Sequence, residues 1–312
     1  MKKLFWLLLL LAGPAAAQSN VVRIVVPFAA GGVQDIVARS FNAELGAALG
    51  RSVIVENRPG AGGTVGTGSV AKAAPDGSTL ILAAASHTIA GSLYSKLAYD
   101  PIADFTGVAH IGSVDYVLMV SAALPSRDVK EFISYLKSHP GKFNYASAGN
   151  GSATHLAMAY FCSLAGVDMV HIPYKATGEA VNEVLAGRAH AVIAANIGAL
   201  PYLKDPRVRA LGATGATRSK FLPDLPAVAE SLPGYQFDSW IALLAPAATP
   251  RPFVDQVNAA VAGLLKDPVI LGRLDKQGVV PQAMSPDALN ALLRADFQKM
   301  ARVVKASGAK ID

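Results

Sequence analysis

Val25-Val26-Pro27-Phe28-Ala29-Ala30-Gly31-Gly32-Val33-Gln34-Asp35 is the stretch on which the fold turns. Val21–Pro27 is an apolar run of strand length. From Gly32 to Leu49, Val37, Phe41, Leu45 and Ala48 recur on one helical face. A strand therefore runs through small residues directly into a helix. Glycine lets the backbone approach a ligand closely. The first N–H groups of the helix lack internal partners and carry the positive end of its dipole. A carboxylate or phosphate can sit there without any charged side chain, although an ordinary tight βα turn reads the same way. Phe28, Ala30, Gly31, Gly32, Val33 and Gln34 are thus candidate contacts. Asp35, in the first turn, joins them and can orient the loop.

The same alternation continues outward. Strand candidates follow at Val53–Glu56, Thr79–Ala83, Tyr116–Val120, Asn144–Ala146, Met169–Ile172, Ala191–Ala194 and Arg209–Ala213, with helix-length segments between them. This predicts an α/β architecture with largely parallel sheets. Residues 18–312 exceed the size at which one core keeps growing, so two lobes are expected. Tyr116–Ser121 and Trp240–Pro246 are extended, apolar and followed by proline-containing loops. They read as two crossover strands, dividing the chain into lobe one (18–120 and 243–312) and lobe two (121–242). Two crossings make a hinge. The stripe Leu289, Leu293, Phe297, Met300 and Val304 predicts a last helix packed back on lobe one.

Met1-Lys2-Lys3, the apolar run Leu4–Ala12 and Ala15-Ala16-Ala17 have the layout of a secretory signal removed after Ala17. The run of about ten apolar residues falls short of the ~20 a spanning helix needs. A periplasmic location is expected. Losing Lys2 and Lys3 takes the formal charge from +6 to +4, a balance compatible with an anionic ligand. No clustered Lys/Arg with interleaved aromatics points to nucleic acid. The single cysteine, Cys162, excludes an intrachain disulfide and a thiolate zinc cluster, and it reads as an inert buried thiol.

A second strand-to-helix loop, Asn144-Tyr145-Ala146-Ser147-Ala148-Gly149-Asn150-Gly151-Ser152-Ala153-Thr154-His155, leads into Leu156–Ala165. Ser147, Gly149, Gly151, Ser152 and Thr154 are candidates there, adding hydroxyls to free backbone donors. Ser152 or Thr154 equally suits a helix cap. Open α/β sheets bind ligands beyond the carboxyl ends of their strands, so two helix starts, one per lobe, would face one cleft. In the loop Ile172–Gly178, Tyr174 offers an aromatic wall and Lys175 a cation; either also suits the open surface.

Catalytic patterns are missing. His87, His110, His139, His155, His171 and His190 show no H-E-x-x-H spacing, and there is no G-x-S-x-G elbow. Pro59-Gly60-Ala61-Gly62-Gly63-Thr64-Val65-Gly66 misses G-x-G-x-x-G, because Val65 stands where the third glycine belongs. Neither metal nor cofactor is expected. A periplasmic hydrolase remains an alternative without a visible nucleophile–base pair.

Taken in order, Pro27–Asp35 with Ala38-Arg39, Val55–Gly63, Pro75–Leu80, Tyr145–Ser152 with His155-Leu156-Ala157, and His171–Lys175 form a familiar series. Arg218-Ser219, Leu222-Pro223-Asp224, Ala229-Glu230, Trp240 and Ala245-Pro246 complete it. The sequence resembles, over essentially the whole mature chain, the Bug family of extracytoplasmic receptors, the binding proteins of tripartite tricarboxylate transporters. The resemblance implies a two-lobed, type II-like Venus-flytrap that holds a ligand carboxylate through its two βα loops. It also implies Ser86 and His87 as a third wall and Asn196 as a further polar cleft residue, for which a helix cap is the alternative. Its implied ligand is a di- or tricarboxylate, an acidic amino acid or an aromatic acid. Its implied partners are the membrane subunits of a transporter or a sensor kinase, with the receptor a monomer. Val33-Gln34, His87, Ala176, His190 and Ala227 depart from the family's habits.

Overall fold

A computed structural model describes residues 20–309; the expected signal peptide, 1–17, lies outside the described residues. The chain opens with β1 (Val21–Val26), α1 (Val33–Arg39), α2 (Asn42–Leu49), β2 (Ser52–Asn57), α3 (Thr64–Ala71), β3 (Thr79–Ala84) and α4 (Ser86–Leu93). Then comes β4 (Phe105–Ser121), α5 (Val129–Ser138), β5 (Asn144–Ser147), α6 (Ala153–Ala165), β6 (Val170–Pro173) and α7 (Thr177–Leu185). β7 (Ala191–Ala195), α8 (Asn196–Ala199) and β8 (Val208–Ala213) complete the middle of the chain. β9 (Asp238–Pro246), α9 (Arg251–Leu264), α10 (Pro268–Lys276), β10 (Val279–Pro281) and α11 (Pro286–Ser307) close it.

The molecule is α/β and two-lobed. In lobe one β1 runs parallel to β2 and β3, and β9 joins β3 antiparallel. In lobe two β5 lies parallel to β6 and β7. β4 belongs to both. Phe105–Asp115 pair with β9, whereas Tyr116–Ser121 pair antiparallel with β7 and β8. The pairing thus changes at Asp115/Tyr116, and β9 pairs in lobe one from Asp238 onward. Both changes fall ahead of the 120/121 and 242/243 divisions read from sequence. The apolar pattern of a strand buried on both faces does not mark where its neighbour changes. The sheets are also less parallel than expected, since both crossover strands run antiparallel to their neighbours.

The helix expected over Gly32–Leu49 is two. Ser40 Oγ donates to the Val37 carbonyl (2.7 Å), and Phe41 leaves helical geometry at φ −140°. Hydroxyl back-bonding of this kind competes with the helical ladder. The last helix packs against α4 in lobe one and also against α6 in lobe two, where Ser163 Oγ donates to the Ala306 carbonyl. It therefore spans both lobes rather than covering one. A single buried cluster likewise runs from Ile24 and Ile89 in lobe one to Phe132, Leu156 and Tyr235 in lobe two. Among the described residues no helix is long and apolar enough to cross a membrane.

Candidate functional site

The first loop is braced by its own carboxylate. Asp35 Oδ2 accepts from Gly31 N–H (2.9 Å) and Oδ1 accepts from Arg39 Nε (2.9 Å). Arg39 Nη2 reaches Asn57 Oδ1 (3.1 Å), whose amide donates to the Phe28 carbonyl (3.0 Å). Gly31 sits at φ +78°, a left-handed conformation that glycine adopts without strain. The helix ladder starts with Ile36 N–H to the Gly32 carbonyl (3.0 Å). The N–H groups of Val33, Gln34 and Asp35 precede it and belong to the unpaired first turn.

Lobe two repeats the device with hydroxyls. Ser152 caps α6, accepting from His155 N–H (3.2 Å), and lies 3.0 Å from Thr154 Oγ1. Thr154 Oγ1 in turn accepts from Ala148 N–H (2.8 Å). Beneath the loop, His155 Nδ1 accepts from Gly151 N–H (3.2 Å), and Ser147 Oγ lies 2.6 Å from His171 Nε2. The two imidazoles stack at 3.9 Å with 13° between their planes. Burial pulls His155 down to about 4, and burial followed by the neighbouring His155 pulls His171 to about 3.

Between the lobes lies a cavity with about 570 Å³ of unfilled space, its mouth included. Phe28, Gly32, Val33, Gln34 and Ser86 line it from lobe one, and Ser152 and Thr154 from lobe two. The starts of α1, α4, α6 and α7 all reach it, and no charged side chain stands in its wall. Val114, Ile241, Ala84 and Ala195 add an apolar side. Tyr116, its hydroxyl pushed up to about 12 by burial, and Ser239 come from the two crossover strands.

Other candidates lie elsewhere. His87 is a core residue: Nε2 meets the Pro101 carbonyl (2.7 Å), and its ring packs on Phe105 at 4.7 Å and near Tyr99 and Trp240. Burial lowers it to about 4. Asn196 is fully buried, with Nδ2 3.5 Å from Ser219 Oγ, and opens α8 as its first residue instead of facing the cavity. Asp35, Ser147 and Gly151 are buried in the two loops outside the cavity wall, whereas Ala30 and Gly31 are exposed on the first loop. Tyr174 Oη donates to Glu183 Oε2 (3.2 Å), and with Gly149 and Lys175 it borders a second depression toward Pro59–Gly63. Thr177, which sequence reasoning passed over for Tyr174 and Lys175, lines the cavity from the first turn of α7. Its signal was the one used for Ser152: a hydroxyl where a helix begins.

Comparison with known proteins agrees with this geometry. Residues 37–309 match the family model described as the tripartite tricarboxylate transporter family receptor. BugT of Bordetella pertussis is 32% identical over 311 residues, covering 96% of this chain and 94% of that protein. MatC of Rhodopseudomonas palustris, solved with bound malate, is 36% identical with a TM-score of 0.84, over 91% of this chain and 98% of its own. A second R. palustris structure, with adipate, is 33% identical with a TM-score of 0.88, over 93% of this chain and 98% of its own. With the family model matched over most of its length and two βα loops meeting across an uncharged cleft, the chain belongs to the tripartite tricarboxylate transporter receptors, the Bug family of periplasmic solute-binding proteins.

Proposed function

We propose that this chain is a monomeric periplasmic receptor, freed of its leader after Ala17, that captures a small carboxylate and delivers it unchanged to the membrane subunits of a tripartite transporter. One observation carries the ligand class. The cavity wall holds no charged side chain, yet helix starts from both lobes aim unpaired N–H groups and hydroxyls at it. Such a wall favours an anion through dipoles and hydrogen bonds alone. Malate and adipate, bound by relatives of the same fold, are acids of fitting size. Capture without turnover is supported by where the serine–histidine pairs within hydrogen-bond reach stand: Ser138 with His139 (2.9 Å) and Ser147 with His171 (2.6 Å) both lie outside the cavity wall. Ser147 is also fully buried, so its hydroxyl cannot reach a bound ligand.

A thermal-shift screen of the mature protein against small carboxylates, malate and adipate included, and against their amides tests the reading. A ligand at 100 times its Kd stabilises the folded state by about 2.7 kcal/mol. A shift with an acid and none with its amide is expected, with the acid recovered intact by mass spectrometry. Equal shifts with both would remove the carboxylate from the recognition, and conversion of the acid would make the protein an enzyme.

A further inference from the structure

The glycine-rich stretch after β2 lines the second depression rather than the cavity, and it carries an unusual backbone. Gly60, Ala61, Gly62 and Gly63 take φ of +138°, +45°, +64° and +101° in succession. Such a run holds the loop in one shape that L-residues rarely adopt. It presses the loop against the opposite lobe. A Cβ built on Gly62 would overlap the Asn150 carbonyl oxygen, a backbone atom of the lobe-two ligand loop, and would stand 3.1 Å from Tyr94 Oη. Tyr94, at the end of α4, donates its hydroxyl to the Ala61 carbonyl (2.8 Å) within its own lobe. The same hydroxyl lies 3.2 Å from the Asn150 carbonyl across the cleft.

We propose that Gly62 and Tyr94 form the latch of lobe closure: Gly62 lets the two backbones meet, and the Tyr94 hydroxyl bridges Ala61 and Asn150 only when the lobes are shut. Opening the cleft breaks the Asn150 contact and keeps the Ala61 one, so the lobe-one loop stays preformed for the next closure. The latch sits at the rim. It changes how often the closed, binding-competent form is populated without touching the ligand, and apparent affinity scales with that fraction. The proposal rests on the receptor reading for its purpose, but its test needs no ligand.

Pro59 and Lys175 are exposed on the two sides of the depression, so Pro59→Cys with Lys175→Cys gives a parent whose closure is read by the rate of cross-linking with a short bismaleimide. The native Cys162 is buried. Gly62→Ala is compared with Gly50→Ala in this background. Gly50 has nearly the same backbone, φ +63° and ψ +29° against +64° and +17°, but nothing lies within 4 Å of its added Cβ. The pair therefore shares the conformational penalty and differs in the clash. Cross-linking about tenfold slower in Gly62→Ala than in Gly50→Ala is expected. Equal rates, or a parent that does not cross-link, would overturn the latch. Should Gly62→Ala fail to fold, Tyr94→Phe decides: a rate about threefold below the parent, the worth of one ordinary hydrogen bond, supports the latch and an unchanged rate rejects it.

Discussion

Gln34 and His87 separate the two ways a polar residue can stand near a ligand site. Gln34 lines the cavity. His87 fills the core between Pro101, Phe105 and Trp240. Gln34→Ala should weaken binding of whichever acid shifts the melting curve and leave the ligand-free midpoint unchanged. His87→Leu should do the reverse, changing the midpoint while affinity per folded molecule holds. Isothermal titration beside calorimetric melting distinguishes them, and a loss of affinity in His87→Leu would return that residue to the cavity wall. Ser86 and His87 show why sequence alone could not make this assignment. Adjacent helical residues point about 100° apart, and here that turns Ser86 to the cavity and His87 to the core. The choice depends on the residue at which the helix begins. For Asp35 a helical first turn was legible, and its role in orienting the loop follows from its bonds to Gly31 and Arg39.

The βα loop of lobe two rests on an element-level device, the stack of Tyr145, His171 and His155. Tyr145 and His171 are register partners on β5 and β6, and His155 arrives from α6. Their meeting depends on strand register, so no local pattern announces it, whereas the cap at Ser152 is read directly from its place before an apolar helix. His155 Nδ1 accepts from Gly151 N–H, which requires that nitrogen to be unprotonated. A proton there would replace the acceptor with a donor and charge a ring stacked on a second imidazole. The folded state holds His155 at about 4 against an ordinary 6.5, and His87 is lowered to about 4 as well. Each lowered group contributes stability in full above pH 6.5, and the contribution is lost as pH falls through 4. For His155 that amounts to about 3 kcal/mol. The melting midpoint should therefore fall steadily between pH 6.5 and 4. His155→Gln should flatten that slope, and a slope identical to the parent's would dissociate the stack from acid sensitivity.

At the scale of the molecule, the sequence pattern yields the number of lobes, the strand-to-helix alternation and the two crossover segments. It misses what ties the lobes together, because the ties are contacts between elements far apart in the chain. β4 pairs in both sheets, the buried cluster is continuous from Ile24 to Tyr235, and α11 packs on α4 and α6 together. Met300 sits on α11 with no exposed surface, inside that shared cluster. A chain this long ordinarily need not unfold in one step. Here, separating the lobes would expose the shared cluster and strip one side of α11, so neither lobe has a complete core of its own. Unfolding should then be a single calorimetric transition, with van't Hoff and calorimetric enthalpies equal. Met300→Ala should cost about 2–5 kcal/mol, the range for emptying a buried large side chain. The shared core also determines the shape of the melting curve: the variant's transition should move as a whole, since the cavity weakens both lobes at once. Two resolved transitions, in the parent or in Met300→Ala, would show instead that each lobe is stable alone and that α11 is only draped across them.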